Sequence, residues 1–354
     1  MKFEDVPKLC TGNYPTPLKR MENLEKLLGK QNLYIKRDDE TGLAMGGNKA
    51  RKIDYLLKDA IDNGYTTFLT FGGPQTNHGR MCVAAAVKYG LKPVLILTGD
   101  KPDVASGNIL LDRLMGAELY FVSLKEAQNL PAAEKAKAQA ELMQKKTKEI
   151  LDKLEKQGEK VYVVPPGGSN ELGALGYVNC VKELLEQMKE QGIEADTIVT
   201  ASGSLGTYSG LVAGVKYYNA PIKVWAVMVS PGEPPVEKAV DLVNSISEKY
   251  ELGVNCKPED LYFTNKYAGP AYNQPDPDTR DIIYMLARTE GLLLDPCYTG
   301  KGFRGFVEML KDGTIDSKKG VIFLHTGGQP ALFTEEHLEA MQGEIWDGTD
   351  VFEL

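Results

Sequence analysis

The chain has 354 residues, 42% hydrophobic and 25% charged, ordinary proportions for a globular protein and enough length for about two domains. Its net charge of −8 argues against a general nucleic-acid binder or a protein docked on anionic membranes, and no apolar run approaches the roughly 18 residues that span a bilayer. Five dispersed cysteines without a CxxC pair, and only three histidines (His78, His325, His337), argue against a disulfide framework and a histidine-rich metal centre, so no metal is expected.

The opening MKFEDVPKLC lacks the apolar core of a signal peptide, which with the cysteine usage leads us to expect a cytoplasmic protein. Residues 33–37 (LYIKR) read as a strand before a turn at 38–42, its charges expected at the surface or in ion pairs between elements. From GGNKARKIDYLL onward, Ile53, Leu56, Leu57, Ala60 and Ile61 recur at helical spacing and predict a helix over 49–63. Asn48 is a suitable N-cap. Lys49 falls in the first turn, the positive end of the helix dipole, where a cation is misplaced. Gly46 and Gly47 before it would let a ligand or another backbone come close.

Further strands are predicted at 66–71, 93–97, 119–122, 161–164, 197–200, 224–229 and 321–324. Several are almost continuously apolar, as parallel strands covered on both faces are, and the helical patterns between them supply the crossovers. The charged stretch 131–160 carries one apolar stripe (Met143, Thr147, Ile150, Leu151, Leu154) and a Glu149–Lys153 pair at i,i+4, the pattern of a solvated amphipathic helix.

Four loops at strand ends carry the candidate chemistry. In ASGSLGTYSG (201–210), Ser202, Gly203, Ser204, Gly206 and Thr207 can turn amides and hydroxyls toward one point at a helix start, a natural phosphate site. The loop lacks the GK[ST] of a nucleotide-binding P-loop, so a monophosphate on a small cofactor fits better than a triphosphate. A glycine-rich βα turn with no ligand is the competing reading. FGGPQTNHGR (71–80) repeats the arrangement, with Thr76, Asn77 and His78 opening a helix where a carboxylate could bind, or where the side chains simply cap. Tyr272 in YAGPAYNQP and Tyr298 in GLLLDPCYTGK sit on Gly/Pro-flanked loops able to face a cleft, and HTGGQPAL (325–332) adds Thr326 on another turn. Together the loops suggest one ligand crevice at the carboxyl ends of the strands.

These segments resemble one family. KRDDETGLAMGGNKARK, GGPQTNH, PPGGSNELGALGYV, ASGSLGT, AYNQP, ARTEGLLLDPCYTGK and HTGGQPALF run from residue 36 to 333 in the order of the D-cysteine desulfhydrase / 1-aminocyclopropane-1-carboxylate deaminase branch of the pyridoxal-phosphate enzymes. The resemblance implies the tryptophan-synthase-β fold (fold type II), α/β with two domains, each an open twisted, mostly parallel sheet flanked by helices. A small domain of residues 50–164 would be inserted into a large one made of 1–49 and 165–354. It also implies pyridoxal 5'-phosphate as cofactor, a small amino acid as substrate and a homodimer.

By the same resemblance Lys49 is the Schiff-base lysine, and the free amine later removes the α-proton. Asn77 meets the phenolic oxygen of the pyridoxal ring. Ser202, Gly203, Ser204, Leu205, Gly206 and Thr207 hold the phosphate, and Thr299 and Thr326 complete the cofactor site. Thr76, Asn77 and His78 take the substrate carboxylate, and Tyr272 and Tyr298 line the substrate face as catalytic groups. The chain departs from the deaminase pattern at Thr299, where deaminases carry glutamate. A hydroxyl there suits simple β-elimination, in which the leaving group discharges the carbanion. The expected reaction is therefore D-cysteine to pyruvate, ammonia and sulfide. L-Cysteate sulfo-lyase and cyclopropane-opening deaminase are the alternatives within the family, and a small-anion-binding protein on the same fold is the alternative outside enzymes. Thr76 stands where the family usually has serine, and its extra methyl is expected to reshape the substrate pocket.

Overall fold

The computed structural model describes residues 1–123, 125 and 131–349. Its strands are β1 (Leu18–Arg20), β2 (Leu33–Arg37), β3 (Thr67–Gly72), β4 (Lys92–Thr98), β5 (Glu118–Val122), β6 (Val161–Val163), β7 (Thr197–Ser202), β8 (Lys223–Met228), β9 (Tyr262–Thr264) and β10 (Val321–His325). The first five helices are α1 (Glu22–Leu28), α2 (Lys49–Asp62), α3 (Asn77–Lys88), α4 (Gly107–Leu114) and α5 (Ala132–Lys156). The remaining six are α6 (Glu171–Gln191), α7 (Gly206–Tyr217), α8 (Val236–Lys249), α9 (Pro277–Glu290), α10 (Thr299–Asp312) and α11 (Glu335–Ile345).

The strands form two sheets. One has six strands in the order β1-β2-β10-β7-β8-β9, drawn from both ends of the chain, and the other has four in the order β5-β4-β3-β6. Every pairing is parallel except β1 with β2, where Leu18 faces Lys36. At the centre of the larger sheet Phe323 lies between Ile35 and Val199. Both its faces are covered, by a core built on α6, α7 and α8 and by a second built on α9 and α10. This explains the continuous apolar runs of β7 and β10, which are buried at every position. The smaller sheet packs on α2 and α3 on one side and on α5 on the other.

Helix α2 belongs to both cores. Ile53, Leu56, Leu57 and Ala60 pack with α3 and β3, while Tyr55 packs with Ala174 and Leu175 of α6. The α6 contact is backbone-close, since a Cβ at Gly176 would lie 2.3 Å from the Arg51 carbonyl oxygen. The residue that opens α2 is thereby held between the two sheets.

Of the two places expected for the charges around 36–39, ion pairs between elements are found for Lys36 and Asp38. Lys36 is buried in an ion pair with Glu183, and Arg51 Nε donates to Asp38 Oδ2 at 2.8 Å, both inside the core around α2. On α5, Lys153 reaches across to Glu118 of β5 at 3.2 Å, while Glu149 pairs with Lys146. Strands β1 and β9 were not expected, since three residues are too few to show a period of two. Among the described residues no helix is long and apolar enough to cross a membrane, and no cluster of His, Cys, Asp or Glu is placed to hold a metal.

Candidate active site

The loops after β3, β7 and β10 converge with the start of α2 on one cavity of about 210 Å³. Its wall is built from Asn48 and Lys49, from the β3–α3 turn with Thr76, Asn77 and His78, and from Pro166 and Gly167. Ala201 to Leu205, Thr207, Tyr272, Tyr298, Thr326 and Gly327 complete it. Segments more than 270 residues apart in sequence meet here, at the carboxyl ends of parallel strands where open α/β sheets bind ligands.

Lys49 stands at the centre. Its amine donates to Asn48 Oδ1 at 3.0 Å, and among the described residues no carboxylate pairs with it. Burial pushes its pKa down to about 8, with Cys82 and Asp295 pulling the other way and the Arg80 cation adding to the depression. Desolvation, rather than the helix end alone, is what favours the neutral, nucleophilic amine. Asn48 does not cap α2. Its own backbone is helical, and its side chain is spent on Lys49 and, through Nδ2, on Thr207 Oγ1 at 2.9 Å. The two glycines answer to backbone rather than ligand: a Cβ at Gly46 would lie 1.9 Å from Asp39 O, and one at Gly47 3.2 Å from Thr326 O.

At the 202–207 loop the Ser202 hydroxyl is buried with no hydrogen-bond partner. Beside the loop lies a residue that sequence reading passed over. Lys52, one turn after Lys49, is 1% exposed and points its amine at Gly167 O (3.0 Å) and Ser169 Oγ (3.5 Å), and a Cβ at Gly206 would lie 2.9 Å from it. Burial, and then the neighbouring Lys49, hold its pKa well below the lysine range. The loop itself supplies no lysine, but α2 brings one from 150 residues away. The i,i+3 spacing of two lysines in KARK was the available signal.

Thr76 caps α3, its Oγ1 accepting from Gly79 N at 3.2 Å. Its methyl nests where Gly72 and Gly79 have no Cβ, since a Cβ at Gly79 would lie 2.4 Å from it. Thr76 and Gly72 both remain part of the cavity wall. The His78 imidazole is held by Thr70 Oγ1 at 2.9 Å, and burial, followed by Lys49 and Lys52, keeps it neutral. What His78 brings to the wall is its place in the first turn of α3.

Tyr298 and Tyr272 face each other across the cavity mouth, their hydroxyls 2.9 Å apart. Two expected residues are not brought to the wall. The Gly206 amide turns away to Ser169 Oγ (3.2 Å) and Ser204 O (2.9 Å). Thr299 is fully buried behind the wall, its hydroxyl donating to Asp295 Oδ1 at 2.7 Å. Asp295, also missed, accepts from the amides of Cys297, Tyr298 and Thr299 and so sets the turn that carries Tyr298.

Comparison with known proteins gives the family. A family model described as "Pyridoxal-phosphate dependent enzyme" matches residues 9–327. The chain belongs to this family. It is 39% identical to the Pyrococcus abyssi protein named "Putative 1-aminocyclopropane-1-carboxylate deaminase", over 95% of this chain and 96% of that one. It is 36% identical to the D-cysteine desulfhydrase of Yersinia enterocolitica, over 94% and 97%. A crystal structure described as an ACC deaminase homologue superposes with a TM-score of 0.81 at 34% identity, covering 96% of each chain. The chain is thus a pyridoxal-phosphate-dependent enzyme of fold type II.

The residues present suit that cofactor. A buried lysine with a depressed pKa is available for the aldehyde, the buried Lys52 amine has no carboxylate partner among the described residues, and the Ser202 hydroxyl at the end of β7 is buried without a hydrogen-bond partner. Both of the latter are costly arrangements that a dianionic phosphate would relieve.

Proposed function

We propose that this lyase of the deaminase/desulfhydrase group catalyses β-elimination from D-cysteine, or a close β-substituted alanine, releasing sulfide, pyruvate and ammonia. The observation that carries the reading is the absence of any aspartate or glutamate among the residues lining the cavity. Asp295, an acid behind the wall, is fully buried and already accepts four hydrogen bonds from 297–299. Opening a cyclopropane offers no easy β leaving group and needs the fullest electron withdrawal, which a carboxylate facing the ring nitrogen favours. β-Elimination is less demanding. The deaminase reading draws on the names of relatives such as the Pyrococcus protein.

Pyridoxal phosphate, when bound, supplies the electron sink for the charge left at the substrate α-carbon. The chain's residues do the rest. Thr76 and the first-turn amides of α3 hold the carboxylate at a helix N-terminus. Lys49 Nζ, with a pKa of about 8, takes the proton from Cα. The Cβ–S bond breaks, and the sulfur leaves with a proton from the Tyr272–Tyr298 pair. The released aminoacrylate hydrolyses to pyruvate and ammonia. Ser202 to Leu205 and Thr207 with Lys52 would hold the phosphate, Asn77 would donate to the phenolic oxygen, and Thr326 would complete the cofactor site. On this reading the chain divides into a small domain of 50–164 and a large one from the remainder.

The test is product release from D- and L-cysteine, cysteate, 3-chloroalanine and aminocyclopropane carboxylate. Pyruvate and sulfide from D-cysteine, with little 2-oxobutanoate from the cyclopropane, is the expected result. Comparable efficiency on both would show that a cavity without an acid does not decide the reaction.

A further inference from the structure

A chain of buried polar groups runs behind the cavity wall and ends on Asn77. Arg80 of α3 and Asn108 of α4 are both fully buried. Arg80 Nε donates to Asn108 Oδ1 at 2.8 Å. Asn108 Nδ2 donates to Gln75 O at 2.8 Å and to Asn77 Oδ1 at 2.9 Å. The Asn108 amide N–H completes the junction by donating to Gln75 Oε1 at 2.7 Å.

The direction of every bond is forced. A guanidinium has only donors, so the atom of Asn108 that meets Arg80 is its oxygen. The other end of that amide is then NH₂, which only donates, so the atom of Asn77 that meets it is also the oxygen. Asn77 is left with its NH₂ end for the cavity that it lines. Arg80 is itself immobilised, donating to the carbonyls of Ala44 and, through Nη2, of Gly46 at 3.1 Å, in the loop that leads into Lys49. The same cation that orients Asn108 thus also ties down the chain before the lysine.

We propose that Asn108 is a positioning residue: held by Arg80, it fixes the amide of Asn77 so that a donor, never an acceptor, faces the cofactor. The inference rests on the reading of Asn77 as the residue that meets the phenolic oxygen. Left unconstrained, an asparagine can present either end. An acceptor would repel the anionic ring oxygen, while a donor favours the charged form and so lowers the pH at which the bound cofactor titrates. Asn108 removes the wrong choice without touching the ligand.

The substitution Asn108→Asp isolates this role. A carboxylate still accepts from Arg80 but has no donor for Asn77, so the Asn77 amide turns its NH₂ toward residue 108 and its oxygen toward the cavity. The holoenzymes to compare are wild type, Asn108→Asp, Asn108→Leu, Asn77→Ala and the Asn77→Ala/Asn108→Asp double variant. The readouts are the pH titration of the visible absorption band, the cofactor dissociation constant by equilibrium dialysis, and the melting temperature. Asn108→Asp should raise the titration midpoint by about one pH unit and weaken cofactor binding roughly tenfold. Asn108→Leu, which leaves Asn77 free to turn, should move both in the same direction by less. In the Asn77→Ala background, Asn108→Asp should not move the midpoint further. A merely structural role would lower the melting temperature while leaving the midpoint alone, and that result in both Asn108 variants overturns the proposal. So does a shift that persists without Asn77. If Asn77→Ala itself leaves the midpoint unchanged, the contact assigned to Asn77 falls and the relay falls with it. If only the Asn108 variants are silent, the contact stands and the relay alone is lost.

Discussion

The hydroxyls of Tyr272 and Tyr298 stand 2.9 Å apart with their rings edge to face, centroids 5.7 Å apart, at the mouth of the cavity that holds Lys49. Burial raises both phenols above their usual value of 10. They therefore stay protonated through the working range of an enzyme and can donate a proton but not readily accept one. Replacing either tyrosine by phenylalanine should lower kcat by about 10²–10⁴ and change KM little. Because the two hydroxyls act as one hydrogen-bonded unit, the double variant should cost far less than the product of the single effects. Steady-state kinetics of the two single variants and the double variant measure this.

Of Lys36, Lys49 and Lys52, only Lys49 is among the residues lining the cavity. Lys36 is buried in an ion pair with Glu183 and also donates to Gln187 Oε1 at 2.6 Å. Lys52 is aimed at Gly167 O. Borohydride reduction and peptide mapping should place the label on Lys49, and Lys49→Ala should abolish turnover while leaving cofactor weakly bound. A label on Lys36 or Lys52 would overturn the assignment. The amine's pKa is lowered from 10.5 to about 8, and the neutral form reacts. The rate at which the cofactor-free protein takes up pyridoxal phosphate should therefore rise about tenfold per pH unit below 8 and level off above it.

Much of this was legible in the sequence because it is periodic or punctuated. Parallel strands buried on both faces announce themselves as apolar runs, so β2, β3, β4, β7, β8 and β10 could be placed within a residue or two. Gly-rich turns after strands located three of the loops that meet at the cavity. What escaped was whatever depends on pairing between distant segments. Lys52 looks like any solvated helix lysine until Gly167 and Ser169 come to cover it. Asn48 has the composition of a cap, but folding offers it Lys49 and Thr207, and tertiary bonds outbid the local one. Thr299 was placed by its neighbour Tyr298, yet one residue of helix turns its side chain away from the cavity and onto Asp295.

Asp112 of α4 gives the protein a pH dependence that lies outside the reaction. It is fully buried, and neither carboxylate oxygen has a hydrogen-bond partner among the described residues. Burial pushes its pKa from 3.8 up to about 7, against the opposing pull of Arg80. Below pH 3.8 the folded and unfolded chains are both protonated at this group. Between about 4 and 7 the folded chain keeps a proton that the unfolded chain has released, so stability falls as pH rises, and above 7 the loss is complete. Asp112→Asn should flatten that slope and stabilise the protein at pH 7.5 by about 1–3 kcal/mol. A residual slope should remain from Asp54, which burial pushes to about 6. Denaturant unfolding of both proteins at several pH values between 4 and 8 tests it, and parallel curves would show that Asp112 is not the source.

Lys52 should have opposite effects on the protein with and without its cofactor. Its amine is buried, with a pKa held well below the lysine range by burial and by Lys49, and among the described residues it forms no ion pair. Without a phosphate this is a cost, since burial penalises the amine and most of all its charged form. With one, the same amine gives a charge-assisted bond from inside the wall, close to Gly206 and Ser169. Lys52→Met keeps most of the side-chain volume and deletes the charge. The cofactor-free variant should therefore melt at or above the cofactor-free wild type. The loaded variant should melt below the loaded wild type, and its dissociation constant for pyridoxal phosphate should rise about 10- to 100-fold. Pyridoxal without the phosphate should bind both proteins about equally, because the interaction removed is with the phosphate alone. Melting curves of both proteins in both states, together with dialysis against the two ligands, give the four comparisons. Equal loss of affinity for both ligands would place Lys52 against the ring instead, and an unchanged dissociation constant would remove it from the cofactor site.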